Sequence, residues 1–133
     1  MLTQKAKYAL KALKVLAHHY NTEPMLIATI SEQEGIPIKF LQSILLQLKQ
    51  NHILISKKGK GGGYALAHKP KATNIATILR IIDGPIALLP CASLHFYKRC
   101  LDCKEADCTI RNILASTRDA TLKILEKKTL KDL

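Results

Sequence analysis

Apolar residues recur at three- and four-residue spacing along the first fifty positions, which is the pattern of amphipathic helices. This periodicity predicts a first helix over residues 3–20. A second, short helix over residues 26–34 ends at Gly35, because glycine favours the left-handed conformation found at helix C-termini. A third helix starts at Pro37, where the missing N–H costs nothing. The predicted inward side chains of this helix are Ile38, Leu41, Ile44, Leu45 and Leu48.

Two helices joined by a tight turn containing glycine form a helix-turn-helix, and Gly35-Ile36-Pro37 supplies that turn here. The outward face of the third helix carries amides, a hydroxyl and a lysine, without an acid. Glutamine can form two hydrogen bonds with adenine, lysine reaches guanine or phosphate, and serine serves either. Polar outward faces occur on most surface helices, so this face alone does not establish DNA binding. The candidate DNA-reading residues are Lys39, Gln42, Ser43 and Gln47.

A basic, glycine-rich segment follows between two stretches, residues 53–56 and 64–67, that have the composition of strands. A hairpin with this tip would be a thin positive wing, because glycine allows close backbone approach and a narrow minor groove attracts cations. No Lys-Ser/Thr follows the glycines to open a helix, which excludes a phosphate-binding P-loop. A solvated hairpin without a ligand is the alternative. The candidate wing contacts to DNA are Lys57, Lys58, Lys60, Gly61, Gly62 and Tyr64.

The rest of the chain is predicted to hold a short helix over residues 74–83, an irregular segment, and a helix over residues 109–128. The last helix would be about 30 Å long at 1.5 Å per residue. This length exceeds what the preceding domain needs for its own core. We therefore predict that it pairs with a second copy of the chain, with packing on its own domain as the alternative.

These elements divide the chain into three parts. Residues 1–84 form a winged helix-turn-helix domain, residues 85–107 a cysteine-rich sensor loop, and residues 108–133 a dimerisation helix and tail. The predicted fold class is mainly α with a small β-wing.

Composition and charge indicate a folded protein with a polyanionic partner. Hydrophobic residues make up 47% and charged residues 23% of the chain, and the formal net charge is +11. Residues 1–80 contain twelve basic and three acidic residues, whereas residues 81–133 contain nine and seven. A strongly basic first part favours nucleic acid, with a membrane surface as the alternative partner. No apolar run is long enough to span a membrane and no secretory signal is evident, so we expect a cytoplasmic protein.

All four cysteines lie within eighteen residues, as Cys91-x8-Cys100-x2-Cys103-x4-Cys108. In a cytoplasmic protein such a group is more often a site than a set of disulfides. Four thiolates can hold an iron–sulfur cluster or a structural zinc ion. Zinc sites usually have two close pairs and only one is present, so the spacing favours iron–sulfur. Lys98, Arg99 and Lys104 would lower the thiol pKa values, which leaves a disulfide redox switch open, as well as plain reduced thiols.

Together these segments resemble the Rrf2 family of bacterial winged-helix regulators over residues 2–133. The resemblance is carried by the opening LTQKAKYALKAL, the helix-turn-helix ISEQEGIPIKFLQSILLQLKQNHIL, the wing SKKGKGGGYALA and the helix ILRIIDG. It implies a homodimeric regulator, most often a repressor, that binds a palindromic operator in double-stranded DNA. Lys39, Gln42 and Ser43 then correspond to residues facing bases, and Lys58 to a wing residue in the minor groove.

The same resemblance implies a sensor, since several members bind a [2Fe–2S] or [4Fe–4S] cluster through three cysteines and one other ligand. In those members the other ligand is a histidine just after the last cysteine or an acid in the first helix. The corresponding positions of this chain hold Arg111 and Lys7. A fourth cysteine could compensate, with Cys91 and Cys108 as the outer pair. The alternative function is an iron–sulfur or metal-binding accessory protein that docks an acidic partner. No enzyme is expected, because no cysteine has a recognisable histidine partner and no paired carboxylates occur.

Overall fold

The computed structural model describes residues 2–133, whose helices and strands follow the predicted order. Among these residues there are five α-helices and one two-stranded antiparallel sheet: α1 (Gln4–His18), α2 (Ile27–Glu34), α3 (Ile38–Gln50), β1 (Leu54–Lys57), β2 (Gly63–Leu66), α4 (Ile75–Ile82) and α5 (Thr109–Leu125). Single 3-10 turns lie at Pro70–Ala72, Pro90–Ala92, Glu105–Asp107 and Leu130–Asp132. No helix in this part of the chain is long and apolar enough to cross a membrane.

Local sequence signals set the helix ends. Thr3 caps α1 by accepting a hydrogen bond from a backbone N–H through its hydroxyl, and the Asn74 side chain caps α4 in the same way. Gly35 ends α2 with φ +61° and ψ 41°, as its residue type predicts. Pro37 has an extended ψ of 128° and is the N-cap of α3, so the helix begins one residue later than predicted.

The core lies between α1, α3 and α4 and is built from alanine, leucine and isoleucine. Its most buried members include Ala6, Ala9, Leu13, Leu41, Ile44, Leu45, Leu48 and Ile78. The predicted inward stripe of α3 is confirmed except at Ile38, which is 45% exposed. Ile38 lies in the first turn of α3, and the buried positions of that helix begin only at Leu41.

The wing is tied to the segment between α1 and α2. In the hairpin Leu54 pairs with Leu66 and Lys57 with Gly63, which leaves residues 58–62 as the loop. Backbone groups of Met25 and Tyr64 exchange two hydrogen bonds, both 2.8 Å long. Strand β2 is therefore hydrogen-bonded on both of its edges, to β1 and to Met25.

The chain end returns to the first domain. After α5 the backbone pairs with the residues that precede and begin α4, because the Lys128 carbonyl accepts from the Ile75 N–H (2.8 Å) and the Leu130 N–H donates to the Thr73 carbonyl (3.0 Å). Leu130 is 1% exposed and belongs to the core. By contrast, α5 itself buries only Leu122.

Candidate nucleic-acid interface and cysteine cluster

Three of the four predicted reading residues share one exposed face of α3. Gln42 and Ser43 lie three and four residues after Lys39, and all three are exposed. The Ser43 hydroxyl donates to the Phe40 carbonyl (2.8 Å), which leaves its oxygen free to accept a hydrogen bond. Phe40 in turn packs edge-to-face on Tyr8, with ring centroids 5.6 Å apart. The face therefore presents exposed polar groups, while Phe40 packs the same helix against α1.

Gln47, the fourth predicted reader, is placed apart from the others. Its side chain is half-buried and its amide oxygen accepts from Lys5 Nζ (2.6 Å). Its amide nitrogen donates to the Ile81 carbonyl at the end of α4 (2.7 Å). Both ends of this amide are thus already bonded inside the domain.

The wing presents its three lysines to solvent. Lys57, Lys58 and Lys60 are exposed, and none of them belongs to an ion pair of the described residues. The tip is a turn in which the Gly62 N–H donates to the Gly59 carbonyl (3.0 Å), with φ +72° at Gly61. These charges are free to meet an anionic ligand.

Two of the wing glycines are required by the chain's own backbone. A Cβ on Gly62 would lie 2.5 Å from the Lys57 carbonyl oxygen, and one on Gly63 would lie 2.2 Å from that of Met25. The expectation that Gly62 serves close approach to phosphate therefore has a simpler structural explanation. Only Gly59 and Gly61 are both exposed and clear of backbone contact.

An open groove of about 490 Å³ runs between the wing and the start of α2. Lys49, Lys57 and Lys58 line it together with Tyr64, which is half-buried and packs against the core. Tyr64 is therefore a wall of this basic groove and a support of the wing at the same time.

Three of the four cysteines interact with one another. Hydrogen bonding to the Cys100 thiol, desolvation and hydrogen bonding to the Cys108 thiol raise the pKa of Cys103 to about 12. The expectation that neighbouring cations lower the thiol pKa values is thus wrong for Cys103. Its sulfur would become a thiolate beside two other sulfurs, and that cost outweighs the cations.

Glu105 organises the loop that carries these thiols. Its carboxylate accepts from the Tyr97 hydroxyl (2.6 Å) and from the Cys100 N–H (3.0 Å). These two hydrogen bonds, the Tyr97 one first, lower the pKa of Glu105, and the bond with Glu105 raises the pKa of Tyr97. Cys108 caps α5, since its sulfur accepts from the Arg111 N–H (3.4 Å). The sequence did not mark Glu105 or Tyr97 as functional residues, because the loop that contains them has no periodic pattern.

Cys91 lies apart from this group. It is buried in the 3-10 turn Pro90–Ala92, which two arginines of α5 hold in place. Arg111 Nε donates to the Cys91 carbonyl (3.0 Å), and the Arg118 guanidinium donates to the Ala92 carbonyl. The turn is thereby docked on α5, and the Cys91 thiol faces the protein interior.

The donor set fits an iron–sulfur cluster in part. Such clusters are held by cysteine thiolates, usually four, and Cys100, Cys103 and Cys108 supply three that are already neighbours. Over residues 2–133 no three His, Cys, Asp or Glu side chains surround a common point at which one metal ion would fit. The three thiols are free of disulfides, as cluster ligands must be.

A helix-turn-helix followed by a basic β-hairpin defines a winged-helix protein, and this fold is shared by solved structures. CymR, described as the global cysteine regulator of B. subtilis, superposes with a TM-score of 0.82 at 24% identity, covering 99% of this chain and 94% of CymR. T. potens IscR gives 0.80 at 21% identity, covering 99% of this chain and 84% of IscR. The predicted fold class is confirmed.

Sequence comparison identifies the family within this class. The family model Rrf2, described as iron-dependent transcriptional regulator, matches residues 2–133. An rrf2-like HTH-type transcriptional regulator of Rhodobacter capsulatus is 42% identical over 137 residues, covering the whole chain and 91% of that relative. IscR of Erwinia tasmaniensis is 31% identical over 90 residues, which are 68% of this chain and 55% of IscR. The chain belongs to the Rrf2 family, whose members are transcriptional regulators and not enzymes.

Proposed function

We propose that this regulator works as a homodimer that binds a palindromic DNA operator and represses transcription from it. The observation that carries the proposal is the pairing of an exposed polar face on α3 with a wing whose lysines have no ionic partner among residues 2–133. Free lysines neutralise phosphates, and the amide and hydroxyl groups of α3 can read base edges. Affinity and specificity would thus come from different residues.

Within the operator, Lys39, Gln42 and Ser43 face the major groove, and Lys58 and Lys60 reach phosphates or the minor groove. Bidentate bonds from Gln42 to adenine would discriminate by about 1–3 kcal/mol per base pair. The lysines contribute a sequence-independent attraction that falls steeply with salt. Lys57 and Tyr64 hold the wing at the basic groove described above.

The second copy binds along α5. Ile110, Ile113 and Ile124 lie on one side of this helix and are 62–64% exposed in the single chain. Burying the exposed part of each isoleucine against a partner contributes about 1–2 kcal/mol. A two-fold axis between paired α5 helices makes the interface self-complementary and sets two α3 helices at a fixed separation, as operator half-sites require.

The cysteine trio is the proposed sensor site. Cys100, Cys103 and Cys108 would hold an iron–sulfur cluster, which supplies sensitivity to oxidants when bound. Glu105 fixes the Cys100 backbone, and Cys108 is the cap of α5. A change at the sulfurs therefore acts directly on the first turn of the proposed dimerisation helix.

DNA binding is tested by fluorescence anisotropy with a duplex selected from a random library. We expect affinity to fall steeply between low and high salt, and Lys58→Ala to reduce both the affinity and the salt slope. Lys131→Ala removes the same charge from the C-terminal turn and serves as control. An affinity that does not change with salt concentration, or equal effects of the two variants, would contradict the proposed interface.

Dimerisation is tested by sedimentation of the full chain. Ile113→Asp should shift it to monomer, because it places a charge in the proposed contact. Asn112→Asp introduces the same charge on another side of α5, where it should leave the dimer intact. A dimer unaffected by Ile113→Asp would show that another surface pairs the copies.

The sensor is tested by purification without oxygen, followed by iron and sulfide analysis. We expect matching iron and sulfide, lost in Cys103→Ala and retained in Cys91→Ala. Metal-free wild-type protein would favour thiol oxidation instead, and about one zinc per chain would make the loop structural.

A further inference from the structure

Gln47 belongs to α3, which carries the proposed DNA-reading residues, but its amide is bonded on the inner side of the domain. Its oxygen faces Lys5 Nζ, which can only donate, and its nitrogen faces the Ile81 carbonyl, which can only accept. These partners fix the orientation of the amide. The bonds are 2.6 and 2.7 Å long, so both are short for their type.

The Ile81 carbonyl needs this bond because of the sequence that follows it. In a continuing helix it would accept from the residue four positions on, which is Pro85 and has no N–H. The neighbouring carbonyls of Leu79 and Arg80 are satisfied by the Asp83 and Gly84 N–H groups. Gln47 thus supplies the donor that Pro85 lacks.

The same turn of α4 also holds the start of α1. The Asp83 carboxylate accepts from the Thr3 N–H (3.0 Å) and from the Thr3 hydroxyl. Lys5, the other partner of Gln47, stands in the first turn of α1. Thr3, Lys5, Gln47, Ile81 and Asp83 therefore form one polar junction between α1, α3 and α4.

We propose that Gln47 is a positioning residue, which sets the angle of α3 on DNA by anchoring it at this junction, and makes no base contact itself. This inference rests on the proposed DNA-binding function. A base contact acts at one base pair, whereas a helix anchor changes the fit of Lys39, Gln42 and Ser43 together. The two roles therefore predict different changes in affinity when base pairs of the operator are replaced one at a time.

The experiment uses the selected duplex, a set of duplexes with one base pair replaced at a time, and a nonspecific duplex. We expect Gln47→Leu to weaken binding to the selected duplex about tenfold, while the ranking of the replaced base pairs stays unchanged. Nonspecific binding and its salt slope should be retained, because the lysine contacts remain. Gln50→Leu, an exposed glutamine of the same helix, is the matched control and should have no effect.

Lys5→Met provides a second variant that keeps the bond to Ile81. It should weaken specific binding in the same position-independent way without changing the salt slope, and the double variant should lose less than the product of the single effects. Loss of discrimination at one base pair only, or unchanged affinity in Gln47→Leu, overturns the proposal. A role in folding stability alone would lower the melting temperature but leave the affinity of the folded protein unchanged, which also overturns it. Wild-type protein that binds no duplex would refute the DNA-binding function instead.

Discussion

Replacing Gly63 by alanine tests how the wing is attached to the domain. The new Cβ would lie 2.2 Å from the Met25 carbonyl oxygen and 2.4 Å from its carbonyl carbon. Both are backbone atoms, so no side-chain rotation relieves the overlap. The φ of Gly63 is +136°, a conformation that L side chains rarely adopt. Strain and steric overlap therefore act together at this position.

The magnitude follows from two contributions. Holding a non-glycine residue in such a conformation costs about 1–3 kcal/mol. Moving the backbones apart breaks the two Met25–Tyr64 hydrogen bonds, which contribute about 0.5–1.5 kcal/mol each. We expect the free energy of unfolding to fall by about 2–6 kcal/mol, a large part of the about 5–15 kcal/mol that holds a typical domain.

Urea denaturation followed by circular dichroism measures this loss, with Gly59→Ala as control. Gly59 also has a positive φ, of +84°, but a Cβ there meets nothing within 4 Å. Its replacement should cost only the left-handed strain of about 1–2 kcal/mol. Equal losses in the two variants would refute the reasoning, since they would show that the contact with Met25 contributes nothing. Gly63→Ala should also weaken DNA binding at temperatures where the protein remains folded.

Three further predictions concern the loop, the core and a helix cap. The Tyr97–Glu105 hydrogen bond lowers the pKa of Glu105 and raises that of Tyr97. It should therefore stabilise the loop fully at pH values above the ordinary carboxyl range and below 10.0. This stabilisation is lost as the pH falls through the lowered pKa of Glu105 or rises through the raised pKa of Tyr97. Spectrophotometric titration should show one tyrosine with a raised pKa, and Glu105→Gln should lower that pKa. Identical titration curves for the variant and the wild type would count against the hydrogen bond. Leu13→Ala should cost about 2–5 kcal/mol of unfolding free energy, whereas Leu101→Ala, at a side chain that is 94% exposed, should cost almost nothing, and similar losses would disprove the assigned core. Asn74→Ala should cost about 1 kcal/mol through loss of the α4 cap, and an unchanged urea midpoint would argue against that cap.

Periodic features of the fold could be predicted from the sequence. Helical spacing predicted α1 to α4 within one or two residues, and Gly35 marked the end of α2 because its residue type suits the left-handed conformation found there. What the sequence did not show was which polar side chains of a helix bond to a neighbouring helix. Gln47 has the chemistry of a reader, and only the position of Ile81 in space turns it inward. No spacing rule contains that information, because the two residues are brought together by the tertiary packing of α3 on α4.

The sequence predicts a site in the cysteine segment, but it could not predict the geometry of the segment. Four cysteines in one loop indicated a site, yet the structure brings together Cys100, Cys103 and Cys108 and leaves Cys91 in a separate turn. The separation depends on Arg111, which holds that turn through a backbone carbonyl. Every residue type has a backbone carbonyl, so the sequence could not show which carbonyl a side chain such as Arg111 binds.

The return of the chain end to the first domain has a mechanical consequence for α5. Its C-terminal end is fixed where Leu130 enters the core, while its N-terminal end is bonded to the cysteine segment through Arg111 and the Cys91 carbonyl. The helix therefore connects the core at one end with the cysteine segment at the other. Over a length of about 25 Å, a tilt of about 5° would move the N-terminal end by about 2 Å. A small rearrangement among three sulfurs would thus be magnified along the proposed dimer axis, while the C-terminal end of α5 stays within the domain that carries α3.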